Sequence, residues 1–182
     1  MKISNILVSI CAAAALVPRG AHAGRDGIRV AGDYMQIAIP LSGLVYSAII
    51  GDWDGSLQLA ESAGATMAAT YILKYTIREE RPYQQEDTPG ATFPSGHTSF
   101  AFAGAGYWQM RYGWWVGAPM YAAAAFVGYS RVLARQHNWL DVSVGAAIGI
   151  GFNMLFTTRY IPDGLSVAPT DGGAMLRFNT RF

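Results

Sequence analysis

Between residues 35 and 156 the chain is a succession of segments at 35–50, 56–77, 94–110, 114–129 and 138–156, each mainly apolar and cut from the next by a short cluster of breakers or polar residues. Segments this long exceed ordinary strands and fit helices of four or more turns. The breakers are specific: Gly51-Asp52-Trp53-Asp54-Gly55 after the first segment, Arg81-Pro82 after the second and Tyr112-Gly113 after the third. Glycine and aspartate release the helical backbone, and the residue before proline is pushed out of the helical region. Short turns make consecutive helices antiparallel neighbours, so the pattern predicts an all-α antiparallel helical bundle. Within the last segment Gly145, Gly149 and Gly151 are expected to allow close approach of a neighbouring helix.

Three clusters of reactive residues fall at the ends of these segments. They read Lys74-x6-Arg81-Pro82, Pro94-Ser95-Gly96-His97 and Ser130-Arg131-x5-His137-x3-Asp141, and in an antiparallel bundle they gather on one face. Three cations, two imidazoles and one carboxylate suit phosphoryl transfer, whose transition state spreads negative charge over oxygens that fixed Lys and Arg groups can hold. One histidine can attack phosphorus while the other protonates the leaving oxygen. His137 and Asp141, four residues apart, are expected on one face of a helix, where the carboxylate keeps one ring nitrogen protonated and frees the other. A helix opening at Pro94-Ser95-Gly96 aims unpaired amide groups outward as an anion site.

With these residues at these spacings the chain resembles the type 2 phosphatidic acid phosphatases (the PAP2 family), whose fold is shared with bacterial non-specific acid phosphatases and vanadium haloperoxidases. The resemblance covers residues 74–141 directly and fits the helical layout of roughly 35–156. It implies that His137 is the nucleophile, forming a phosphohistidine, that Asp141 orients it and that His97 gives the leaving group its proton. Lys74, Arg81 and Arg131, with the Ser95 hydroxyl and the Gly96 amide, would hold the phosphate. It implies a metal-independent reaction with no cofactor, and no His, Cys or carboxylate cluster in the sequence has metal-ligand spacing. The expected substrate is a phosphorylated lipid or a small phosphoester. A vanadate-dependent haloperoxidase-like enzyme and a non-catalytic envelope protein retaining the fold are the alternatives. Arg78, Glu79, Glu80 and Arg135 lie between motif positions and read as solvated or supporting residues; Tyr83 and Trp139 flank the motifs.

Residues 1–23 read as a secretory signal, with Lys2 at the start, an apolar run over 6–17 and Ala21-His22-Ala23 in the small-x-small form of a cleavage site. Its removal takes Lys2 and Arg19 and leaves 11 basic against 12 acidic residues, which gives no reason to expect a nucleic-acid partner. The only cysteine, Cys11, and His22 would leave with it, so that His97 and His137 are the remaining histidines. The expected domains are the signal, a helical phosphatase domain over 24–160 and a tail over 161–182. In the tail, Asp171-Gly172-Gly173 signals a turn, and Leu176, Phe178 and Phe182 alternate with Arg177, Asn179 and Arg181, so a small β-hairpin is expected. The apolar runs sit at the lower limit for a membrane span and are rich in Ala, Gly and Thr. That favours an exported, periplasmic or envelope-associated enzyme seated on a membrane surface, with an integral inner-membrane protein as the alternative.

Overall fold

The computed structural model describes residues 24–79, 91–161, 164–170 and 173–179. The signal reading on 1–23, together with Arg81, Tyr83 and Glu80, lies outside the described residues. Among the described residues five helices follow one another: α1 (Arg25–Ile49), α2 (Trp53–Ile77), α3 (Gly96–Tyr112), α4 (Trp114–Leu133) and α5 (Trp139–Phe156). They form the all-α bundle that the segment pattern predicts. A two-stranded antiparallel hairpin, β1 (Gly164–Thr170) and β2 (Gly173–Asn179), follows the bundle, in a register that sets Leu165 opposite Phe178 and Val167 opposite Leu176.

The boundaries differ from the sequence reading in informative ways. α1 begins at Arg25, ten residues before the apolar run, because its first turns are amphipathic and bury only Gly32. α2 is not stopped by Pro82. It ends at Ile77, where Arg78 turns left-handed (φ 50°) and its N–H donates to the Lys74 carbonyl. Ser130 and Arg131 do not end α4 but lie within its last turn, fully buried.

α3 is the axis of the bundle and packs against all four other helices. Its interior is made of small residues: Ala101, Ala103, Gly104, Ala105 and Gly106 are all buried. A methyl group on Gly104 would meet the Pro40 nitrogen at 2.6 Å, so the proline inside α1 sits directly on the α3 backbone. A methyl group on Gly145 would meet the Ser95 carbonyl oxygen at 2.7 Å, and one on Gly149 the Ser99 carbonyl oxygen at 2.5 Å. Gly151, expected to share this role, has nothing within 4 Å of the corresponding position. It has no part in the close approach, because it lies two residues along the helix from Gly149 and faces another way.

At the end of the bundle that carries the α1–α2 turn, Asp52 caps α2 by accepting the Gly55 N–H at 3.1 Å. Both of its oxygens also engage Arg111 of α3, with Nε donating to Oδ2 at 2.8 Å and Nη2 to Oδ1. Both residues are buried. Arg111 Nη1 donates to the Thr158 carbonyl at 2.9 Å, tying down the segment that leads to the hairpin.

Gly149→Ala is expected to destabilise the fold by about 1–3 kcal/mol, because the clash is with backbone that cannot give way. Gly151→Ala is expected to stabilise by up to about 1 kcal/mol through helix propensity. Thermal melts of the two variants distinguish the glycine that packs from the one that does not.

Candidate active site

The opposite end of the bundle collects the last turn of α2, the first turns of α3 and α5, the last turn of α4 and an early turn of α1. Lys74, in the last turn of α2, donates from Nζ to the carbonyl oxygens of Ala91 (2.9 Å) and Thr92 (3.1 Å). This pins the segment entering α3. Ser95 is the N-terminal cap residue of α3 and fully buried; its N–H donates to the Asp141 carbonyl at 3.1 Å and its hydroxyl accepts from Thr98 at 3.0 Å. Gly96 follows, and a methyl group added there would touch only Thr70, at 4.0 Å. Packing does not require that glycine.

His137 lies in the turn between α4 and α5, just outside the helix rather than on it. Its partnership with Asp141 arises from the start of α5, not from one helical face as the spacing suggests. Asn138 and Asp141 form a capping box: the Asp141 N–H donates to Asn138 Oδ1 at 2.9 Å and the Asn138 N–H donates to Asp141 Oδ2 at 3.0 Å. The same Oδ2 lies 3.2 Å from His137 Nδ1 and accepts from the Thr92 hydroxyl at 3.1 Å. Thr92 Oγ1 is also 3.1 Å from His137 Nδ1. These contacts engage Nδ1 and leave Nε2 as the ring nitrogen with its lone pair for chemistry. Burial pushes the His137 imidazole down to about 4, against the pull of Asp141, and Lys74 and His97 add to the depression. At neutral pH the ring is uncharged.

Arg131 is fully buried and held on several sides: Nε donates to the Ser130 hydroxyl at 3.1 Å, Nη2 to the Arg29 carbonyl at 2.5 Å and Nη1 to Gln136 Oε1 at 3.2 Å. Nη1 also meets Asp33 Oδ1 at 2.6 Å, and the same oxygen is 3.1 Å from His97 Nε2. Gly32, next to Asp33, makes the room, since a methyl group there would come within 2.7 Å of Arg131 Nη2.

Lys74, Ser95, His97, Arg131, His137 and Asp141 are thus linked through one chain of contacts that runs by way of Thr92, Gln136 and Asp33; Gly96 follows Ser95 in the chain, and Arg81 lies outside the described residues. Two members were not foreseen. Thr92 reads as an ordinary loop threonine, and Asp33 is a lone carboxylate in a segment carrying no motif; neither has a local pattern that marks it. Asp33 places one carboxylate oxygen on both an imidazole and a guanidinium, the position that an oxygen of a bound oxyanion would take.

The family described as the PAP2 superfamily matches residues 55–162. Among curated proteins the chain is similar to a lipid A 4'-phosphatase of Helicobacter pylori, 48% identical over 69 residues that make up 38% of this chain and 35% of the relative. It is also similar to a lipid A 1-phosphatase of Porphyromonas gingivalis, 31% identical over 117 residues, 62% of this chain and 25% of the relative. Lipid phosphate phosphatase 2 of Arabidopsis thaliana is 34% identical over 93 residues, 40% of this chain and 32% of the relative. The matched stretches therefore span about a third or less of the length of these curated relatives. Among solved structures, the crystal structure of Aquifex aeolicus LpxE is similar, with a TM-score of 0.63 and 26% identity over 80% of this chain and 92% of that one.

Asp33→Asn keeps the shape of the side chain and removes its charge. It is expected to tighten binding of orthovanadate about tenfold, the scale of removing one competing anion from a partly solvated site. Titration calorimetry on the purified protein reads this directly; unchanged or weaker binding would show that Asp33 does not compete with the anion.

Proposed function

We propose that this chain, which belongs to the PAP2 superfamily, is a phosphatase that releases phosphate from a phosphorylated lipid through a phosphohistidine on His137. The observation that carries the reading is the buried, uncharged His137, with Nδ1 engaged by Asp141 and Thr92. An imidazole fixed in one tautomer beside cations is prepared for nucleophilic attack on an anion.

The reaction runs in two displacements. The Nε2 lone pair of His137 forms a bond to phosphorus as the bond to the leaving oxygen breaks, and His97 gives that oxygen a proton. A water molecule then attacks the phosphohistidine, passes a proton to His97, and orthophosphate leaves with His137 restored. Arg131, Lys74 and, by resemblance, Arg81 hold the non-bridging oxygens, together with the Ser95 hydroxyl and the Gly96 amide at the start of α3. Asp33 keeps His97 and Arg131 in register and yields its position to the phosphate.

A lipid substrate is supported by the names of the relatives and by the surface of the bundle. From Tyr34 to Ile49 the exposed large side chains of α1 are Tyr34, Ile37, Leu41, Leu44, Val45 and Ile49, and none is charged. Met154, Leu155 and Phe156 are exposed on α5. Exposed Trp53, Trp114 and Trp115 lie toward the end opposite the site, and Tyr75, Tyr129 and Trp139 near it. Aromatic residues at two levels with aliphatic surface between them match the two interfaces of a bilayer. Among the described residues α5 is the one helix both long and apolar enough to cross a membrane, and α1, at roughly 37 Å, is also long enough to cross the hydrocarbon layer. This surface favours the integral-membrane alternative over an enzyme seated on the membrane, with the site at the headgroup level.

The test is phosphate release from phosphatidic acid by the detergent-purified protein in EDTA. His137→Ala is expected to lower kcat by on the order of 10^4-fold; near-normal turnover in that variant would overturn the mechanism. Because His137 must be uncharged to attack, and burial lowers it from 6.5 to about 4, the acid limb of the kcat/KM profile is expected near pH 4. Membranes washed in alkaline carbonate should retain the protein and detergent should release it; release by carbonate alone would favour surface attachment.

A further inference from the structure

We propose that Thr92 is a positioning residue for the nucleophile: its hydroxyl holds the His137–Asp141 pair in register and sets the lower pH edge at which His137 reacts. The proposal rests on the phosphatase reading above and deepens it at the same site. Thr92 is fully buried, and each of its polar groups joins a different part of the site. Its N–H donates to the carbonyl of Glu79, just past the end of α2, at 2.7 Å, and its carbonyl accepts from Lys74 Nζ at 3.1 Å. Its hydroxyl oxygen lies 3.1 Å from His137 Nδ1, 3.1 Å from Asp141 Oδ2 and 3.2 Å from the Gln136 carbonyl oxygen. The end of α2 thus fixes the backbone of Thr92, and its side chain reaches across to the turn between α4 and α5.

A hydroxyl has one proton and two lone pairs. The oxygens of Gln136 and Asp141 compete for that proton, and the carboxylate is the stronger acceptor. A lone pair of Thr92 Oγ1 then faces the proton on His137 Nδ1, which Thr92 and Asp141 Oδ2 share. Asp141 is supported unevenly. Oδ2 meets the Asn138 N–H, the Thr92 hydroxyl and His137 Nδ1, while Oδ1 is buried with no hydrogen-bond partner among the described residues. Donors that share one carboxylate oxygen limit what each other gains from it. Without the Thr92 proton, more of the carboxylate charge acts on the imidazole, and the affinity of Nε2 for a proton rises.

The other charges around the ring are independent of that hydroxyl. Lys74 on α2 and His97 on α3 lower the imidazole, and Arg131 on α4 reaches the neighbouring Gln136. Arg25 on α1 and Arg135 in the turn between α4 and α5 line a cavity with His137. A shift in the titration of His137 on removing the hydroxyl therefore reports its contact with the His–Asp pair.

Thr92→Val tests this, because valine keeps the branched shape and removes the hydroxyl. On phosphatidic acid, the acid limb of the kcat/KM profile is expected to move up by about one pH unit from its wild-type position, the scale of one hydrogen bond to a charged group. Thr92→Ser, which keeps a hydroxyl, is expected to hold the limb at the wild-type pH. At neutral pH, kcat of the valine variant should fall about tenfold with KM within about twofold, because the ring loses one of the two groups that aim it. A limb that stays in place in Thr92→Val overturns the proposal whatever happens to the melting temperature, since a merely structural threonine changes stability without moving it. A limb displaced equally in Thr92→Ser also overturns it, by assigning the effect to shape. A rise in KM in place of the fall in kcat overturns it too, and assigns Thr92 to substrate binding. Should the valine variant fail to fold, Thr92→Ala, which sets no methyl group against the carboxylate, carries the same readout. If the wild type releases no phosphate, the phosphatase reading fails, and the proposal is read without turnover by NMR titration of protein labelled in its histidines. There the His137 ring should titrate about one unit higher in Thr92→Val; an unshifted titration sinks the proposal.

Discussion

One oxygen atom, Oδ2 of Asp141, joins the fold to its chemistry. It accepts the Asn138 N–H and so starts α5, accepts the Thr92 hydroxyl and so fixes the segment entering α3, and meets His137 Nδ1. The carbonyl of the same residue receives the Ser95 N–H at the start of α3. The partners of Oδ2 thus come from the segment entering α3 and from the turn that starts α5, while Oδ1 is buried with no hydrogen-bond partner among the described residues.

That arrangement needs helices that approach closely at the site end. The glycines and alanines of α3, and Gly145 and Gly149 of α5, let backbones meet where ordinary side chains would hold them apart. With little bulky apolar volume at its axis, the bundle is also tied at the far end by the paired Asp52 and Arg111, which link the α1–α2 turn, α3 and the segment before the hairpin. One end thus holds a closed, saturated ion pair. The other holds a carboxylate, Asp33, shared between His97 and Arg131 and partly exposed.

The candidate site residues could be singled out in the sequence because phosphoryl-transfer chemistry calls for particular residue types near helix ends, and such placements appear in sequence as spacing. The elements around them were less so. α2 ends at Arg78 by a left-handed cap, a backbone choice that no proline signals, and α1 begins ten residues before its apolar run because half-buried turns carry Arg29 and Asp33. Gly149 and Gly151 look alike in the sequence, yet only one lies against a neighbouring backbone. Asp33 and Thr92 carry no local signature, since their roles come from side chains 40 to 100 residues away.

The sequence by itself determined the helical class, the order of the segments and the identity of the residues with acid, base and cationic chemistry, because periodicity, breakers and residue type are local properties. Tertiary structure alone decided which carboxylate stands between His97 and Arg131, how burial lowers His137, and that Arg25 and Arg135 share a cavity beside it. Those are properties of distance and solvent exclusion between remote parts of the chain, which come into being only when the helices pack.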